Sequence, residues 1–118
     1  MWLPGTNAEQ FIVDLIRASE WDLRYSPEGK PYAALLNGFG NGEAGIKLHF
    51  YPSRGAVRVV GVIDRSEEIG LRRPFVFVSI YRGIHEALRL INNMLLPRYK
   101  RVWYEAQPKL QALPPLDD

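Results

Sequence analysis

The sequence predicts an α+β domain, an antiparallel sheet of four to five strands with N-terminal and C-terminal helices packed on one face. Three observations predict it. Apolar residues recur at helical spacing only near the two ends of the chain. Between them lie several short runs that alternate apolar and polar residues, the period of a half-buried strand. Those runs are joined by turns too short for parallel crossovers, which forces antiparallel neighbours.

In chain order, Thr6-Asn7-Ala8-Glu9 has the form of a capping box, and Phe11, Ile12, Leu15 and Ile16 follow at helical spacing. This predicts a helix ending near Ser19. Trp21, Leu23 and Tyr25 alternate with Asp22, Arg24 and Ser26, a first strand. Pro27-Glu28-Gly29-Lys30 is turn chemistry, and Pro31 to Asn37 returns as a second. Gly38 to Gly45 is a glycine-rich hairpin loop with Phe39 at its tip. Gly40, Gly42 and Gly45 fit G-x-G-x-x-G, but a dinucleotide-binding loop must open a helix, whereas Ile46-Lys47-Leu48-His49-Phe50-Tyr51 reads as a third strand. Pro52-Ser53-Arg54-Gly55 turns into a fourth strand, Ala56 to Asp64, and Arg65 to Arg73 is a charged connection with room for one helical turn.

The fifth strand is the most informative. In Phe75-Val76-Phe77-Val78-Ser79-Ile80-Tyr81, Val76, Val78 and Ile80 form a core face, while Phe75, Phe77, Ser79 and Tyr81 face the other way behind Arg72 and Arg73. Ile84, Leu88, Ile91 and Leu95 then repeat at helical spacing up to Pro97, which is placed to start a third helix carrying Arg98, Tyr99, Lys100, Arg101, Trp103 and Tyr104. Residues 1–107 read as one domain and 108–118, rich in proline, as a loosely attached tail.

Composition excludes several function classes. The chain of 118 residues has 47% hydrophobic residues and no cysteine, so it holds a real core without disulfides, thiolate chemistry or cysteine-ligated zinc. No apolar run approaches the ~18–20 residues of a membrane span. With no basic-then-apolar N-terminal segment, the expected location is cytoplasmic. Eleven of the 15 cations are arginines, which favour planar stacking and phosphate forks. The net charge is +2 and the pI about 9.0. Without the terminal Asp117 and Asp118, 15 cations face 11 acids.

Catalytic constellations are weak. His49 and His85 lack metal-ligand spacing, Glu67-Glu68 lies in a polar connection, and Ser53, Ser66 and Ser79 have no visible base. No enzyme activity, no metal and no cofactor are expected. The aromatic and basic residues are stronger. If the third to fifth strands are neighbours, one face collects Lys47, His49, Tyr51, Arg58, Phe75, Phe77 and Tyr81. Rings on a sheet stack bases while flanking cations hold phosphates. The expectation is single-stranded nucleic-acid binding with little sequence preference. Phe75, Phe77 and Tyr51 stack bases, Lys47, Arg58, Arg72 and Arg73 contact phosphates, and Phe39 closes over the strand. The alternative is that a helix or a second subunit covers the same face, which makes it a homodimer or partner interface.

Two resemblances bear on this. Arg73-Pro74-Phe75-Val76-Phe77-Val78-Ser79-Ile80 resembles the RNP1 motif of RNA-recognition domains, keeping Arg73, Phe75, Phe77 and Val78 and departing at Pro74, Val76 and Ile80. The strand order differs from that fold, so the likeness is a local one. The element order, with Phe75, Phe77, Arg72, Arg73, Lys47 and Arg58, more closely resembles the archaeal ThermoDBP group of single-stranded-DNA-binding proteins. That resemblance implies a phenylalanine-lined cleft flanked by basic residues, an archaeal source, and single-stranded DNA as partner. The dimerising zipper of that group has no counterpart here beyond Arg98–Leu113.

Overall fold

The structure, a computed structural model, describes residues 4–37 and 46–115, with the backbone alone for 4–7. The glycine-rich loop and Phe39 lie outside the described residues. Helix α1 spans Pro4–Ala18. Ala8, Phe11, Ile12, Leu15 and Ile16 are its buried residues, the i, i+3, i+4, i+7, i+8 stripe of a helix with one face on a core. It starts two residues ahead of Thr6, so the expected cap lies inside the first turn. Its end is a Schellman motif: the Trp21 N–H donates to the Ile16 carbonyl and the Glu20 N–H to Arg17. Glu20 carries the left-handed residue at φ 60°, a position glycine would take without strain.

Five strands follow as an antiparallel meander: β1 (Asp22–Tyr25), β2 (Pro31–Leu35), β3 (Lys47–Ser53), β4 (Ala56–Val62) and β5 (Phe75–Ser79), each paired with its sequence neighbour. The α+β fold with an antiparallel sheet is the one the alternation predicts, the sheet having five strands where four to five are expected. Leu48, Phe50, Val57, Val59 and Val78 point inward and join the α1 stripe in one apolar core. The β3–β4 hairpin closes through Arg54 and Gly55, with Gly55 at φ 64° beneath the Tyr81 ring. A side chain there would be strained in backbone and would start 2.6 Å from that ring.

After β5 the chain is helical almost to the end: α2 (Gly83–Leu90), a π-helical turn (Ile91–Leu95) and α3 (Leu96–Gln111). In the wide turn the Leu96 N–H donates to Ile91 five residues back. Pro97 follows at once, and proline has no N–H to give and crowds the carbonyl four residues back. Helix α3 continues through Pro108 to Gln111, beyond the domain end expected at 107. No described helix is long and apolar enough to cross a membrane.

Tyr99 of α3 is fully buried and lies against Gly61 of β4; a Cβ at Gly61 would sit 2.6 Å from its Cγ. Its hydroxyl lies 2.5 Å from the Val62 carbonyl and accepts the Lys47 N–H at 3.3 Å. Burial pushes its pKa up to about 12. The unfolded phenol ionises near its ordinary value of 10. Stability from this group is therefore whole below pH 10 and lost as pH rises to about 12, by about 3 kcal/mol at most. Gly61→Ala should cost about 1–3 kcal/mol through overpacking. Tyr99→Phe should lose about 1 kcal/mol of hydrogen bonding at neutral pH, with a shallower alkaline decline than the native chain. Urea unfolding from pH 7 to 11.5 checks both; equal alkaline slopes for the native chain and Tyr99→Phe would contradict the assignment.

Candidate nucleic-acid interface

The outer face of the sheet is set by register. Tyr51 pairs with Arg58 and Arg58 with Phe77, a row across β3, β4 and β5. His49 pairs with Val60 and Val60 with Phe75, a second row beside it, and Ala33 of β2 extends it. Lys47 opposite Val62 lies one step further along the strands. Tyr51, Arg58, Phe75 and Phe77 are exposed, the two phenylalanines at 45% and 58%. Neither α3 nor any other described segment covers them.

These side chains touch in sequence. The Phe75 and Phe77 rings meet edge to face at 5.7 Å. The Arg58 guanidinium carbon stands 5.6 Å from the Phe75 centroid and 5.0 Å from that of Tyr51. The Tyr51 and His49 rings are 6.2 Å apart, with the hydroxyl 3.3 Å from His49 Nδ1. Tyr32 stands 5.4 Å from His49. A continuous series of flat groups therefore crosses from β2 to β5, with a planar cation supplying the step on β4. Aromatic and guanidinium contacts at these spacings are attractive on their own.

Along one side runs the 64–74 connection, which carries a short 3₁₀ turn at Ser66–Ile69. Between it and the sheet lies a groove of about 410 Å³, floored by Tyr51, Arg58, Val60 and Phe75 and walled by Ser66, Glu67 and Leu71 to Arg73. This wall is one reason that Val60, on the outer face, is only 6% exposed. Arg72 is exposed. Arg73 Nε donates to Ser66 Oγ at 3.0 Å, and its Nη2 lies 3.7 Å from Glu67. Lys47 Nζ stands 3.8 Å from Asp64. Partial burial, then the charges of Lys47 and Arg73, push the His49 pKa below its ordinary 6.5, with Asp64 opposing. The His49 ring is therefore neutral at neutral pH.

Of the residues singled out in the sequence, Tyr51, Arg58, Phe75, Phe77, Lys47, Arg72 and Arg73 gather around this face and its groove, while Phe39 lies outside the described residues. Tyr81 falls beyond the end of β5, over Gly55. The basic and aromatic residues of α3 are divided between core and surface. Tyr99 is core, and Trp103 and Tyr104 contact each other edge to face at 5.1 Å while remaining half-buried. Sequence reasoning left Tyr32 unassigned, because the β1–β2 register shifts beside Tyr25 and alternation does not carry across it. A second hollow of about 560 Å³ lies between Trp21, Leu36, Asn92 and Lys100, and it has no comparable row of rings. Among the described residues no three acidic or histidine side chains gather as a metal site requires.

No family model, no curated protein and no solved structure matches this chain.

Since Lys47 is the largest charge acting on His49, Lys47→Met should raise the His49 pKa toward 6.5. An NMR titration of the imidazole resonances checks this; an unchanged or lower midpoint would show that the Lys47 charge does not hold it down.

Proposed function

We propose that this protein binds single-stranded nucleic acid, DNA or RNA, with little sequence preference and without catalysing a reaction. The observation that carries the reading is the uncovered series Tyr32–His49–Tyr51–Arg58–Phe75–Phe77, with Lys47, Arg72 and Arg73 beside it. An apolar patch of this kind on a soluble domain marks an interaction surface. Bases offer flat faces to such rings whatever their sequence, and each stacked base contributes about 1–3 kcal/mol. A double helix hides those faces, so the single strand is preferred. The resemblance in element order to the ThermoDBP group supports DNA as the partner and an archaeal source, and a cytoplasmic site of action fits the same reading.

The exposure of Phe75 and Phe77 also supports a second reading, a homodimer joined through this face. The two separate in one set of titrations. Labelled oligo-dT, oligo-U and duplex, followed by fluorescence anisotropy at several salt concentrations, should show single-strand preference with affinity falling as salt rises. The Phe75→Ala, Phe77→Ala double variant should bind both oligonucleotides roughly 30-fold or more weakly, two stacking contacts being lost, with its melting temperature unchanged. Absence of binding at low salt, with mass rising on concentration and the double variant monomeric, would replace the proposal with the homodimer.

A further inference from the structure

Two of the cations beside the ring series carry acidic partners, and both partners come from the 64–74 connection: Asp64 at Lys47 and Glu67 at Arg73. Both contacts are loose, at 3.8 and 3.7 Å, beyond hydrogen-bonding distance. Elsewhere arginines close tightly on their carboxylates: Arg65 on Glu68 at 2.6 and 2.9 Å, and Arg89 on Glu86 at 3.0 and 2.6 Å. A third loose pair, Lys30–Glu9 at 4.0 Å, joins the β1–β2 turn to α1 and takes no part here. The Asp64 and Glu67 side chains are about three-quarters exposed, whereas those of Lys47 and Arg73 are only about one-third exposed. The cations are held by the fold and the acids are not.

Arg73 has a further feature. Ser66, 2% exposed, is a buried polar residue of the 3₁₀ turn, and its hydroxyl accepts the Arg73 Nε–H. That bond fixes the plane of the guanidinium and leaves its Nη2 toward Glu67. A fixed guanidinium whose free edge meets a loosely held carboxylate is prepared for an anion that fits it better. A phosphate diester offers two oxygens to such an edge.

We infer that two phosphates of a bound strand take the places of the Glu67 and Asp64 carboxylates, at Arg73 and Lys47. The sugar–phosphate backbone then runs beside the 64–74 connection and the bases lie over the ring series. This inference rests on the single-strand reading above. It gives the strand a defined side on the sheet and assigns Glu67 and Asp64 as competitors, so that removing an acid from the site strengthens binding. Ser66 is a positioning residue, acting only through Arg73.

The test uses the full chain and fluorescein-labelled oligo-dT at about 0.15 M salt, where charges beyond ~8 Å are largely screened. Glu67→Gln and Asp64→Asn should each tighten binding about two- to fivefold, the loss of one exposed ion pair. Glu68→Gln makes the same change of net charge one residue away but frees only Arg65, and should leave affinity unchanged. Arg73→Lys keeps the charge but loses the Ser66 bond and the fork, and should weaken binding; Ser66→Ala should weaken it in the native chain and have no effect in Arg73→Lys. If the native chain binds and Glu67→Gln and Asp64→Asn do not tighten it, the phosphate positions are wrong while stacking stands. Equal tightening by Glu68→Gln would reduce the effect to net charge and overturn the inference likewise. A native chain that binds no oligonucleotide even at low salt removes both readings together.

Discussion

The structure depends on the contact of Tyr99 with Gly61. It holds the last helix to the sheet at the point where β4 ends and β3 begins, and its hydroxyl completes the hydrogen bonding of Lys47 and Val62 there. Only glycine leaves space for the ring. Two residues beyond Val62 the chain leaves the sheet as the 64–74 connection, so the wall of the groove is anchored by the same contact. A second tie reaches it from the far end of α3, where Arg65 donates to the Pro114 carbonyl at 2.8 Å. The π turn serves this arrangement. Ala87, Ile91, Leu95 and Tyr99 are buried at a spacing of four. An α-helix overshoots a full turn by about 40° at each such step, so an unbroken one would carry Tyr99 away from the line of the others. The wider turn takes up that drift and, at the same place, relieves the crowding that Pro97 imposes.

The two faces of the sheet then have different tasks. On the inner face aliphatic residues of β3, β4 and β5 meet α1 and α2, and burial there is the main source of stability. On the outer face Phe75 and Phe77 stay about half exposed, so packing within this chain does not account for them. Scattered exposed apolar residues need no explanation, but a touching series across four strands does. The neutral state of His49 belongs to the same design. Partial burial first, and then the positive charge of Lys47 and Arg73, disfavour a third cation and keep the ring uncharged among the other rings.

Period-two alternation made the inner and outer faces of β3 and β5 legible, and short turns made the meander legible, because both are local consequences of backbone geometry. Three things were not local. Tyr99 is flanked by Arg98, Lys100 and Arg101 and so looks like surface, but the π turn that rotates it inward is set by Pro97 together with the core. Pro108 looks like a stop, yet α3 continues through it to Gln111 although its missing N–H removes one i→i−4 hydrogen bond. The partners of Lys47 and Arg73 depend on how the 64–74 connection folds back over the sheet, which no periodicity describes. Tyr32 joined the site for a similar reason, through a register shift in the neighbouring hairpin. The aromatic and basic residues of the site were visible in sequence; the acids that compete for it were not.

Arg58 bears most directly on what covers this face. It stands between Tyr51 and Phe75 in place of a ring, so the series is carried across β4 by a charge. In a twofold dimer through this patch each copy presents the same surface to the other. Arg58 and Arg72 would then lose water against a second patch with the same excess of positive charge, Lys47, Arg58, Arg72 and Arg73 outnumbering Asp64 and Glu67. Desolvating unpaired cations is costly, and like charges across an interface add to it. A single-stranded polyanion reverses both terms: a base replaces water on the guanidinium face, and a phosphate answers its charge. The apolar rings alone fit either partner. The cation placed among them favours the nucleic acid.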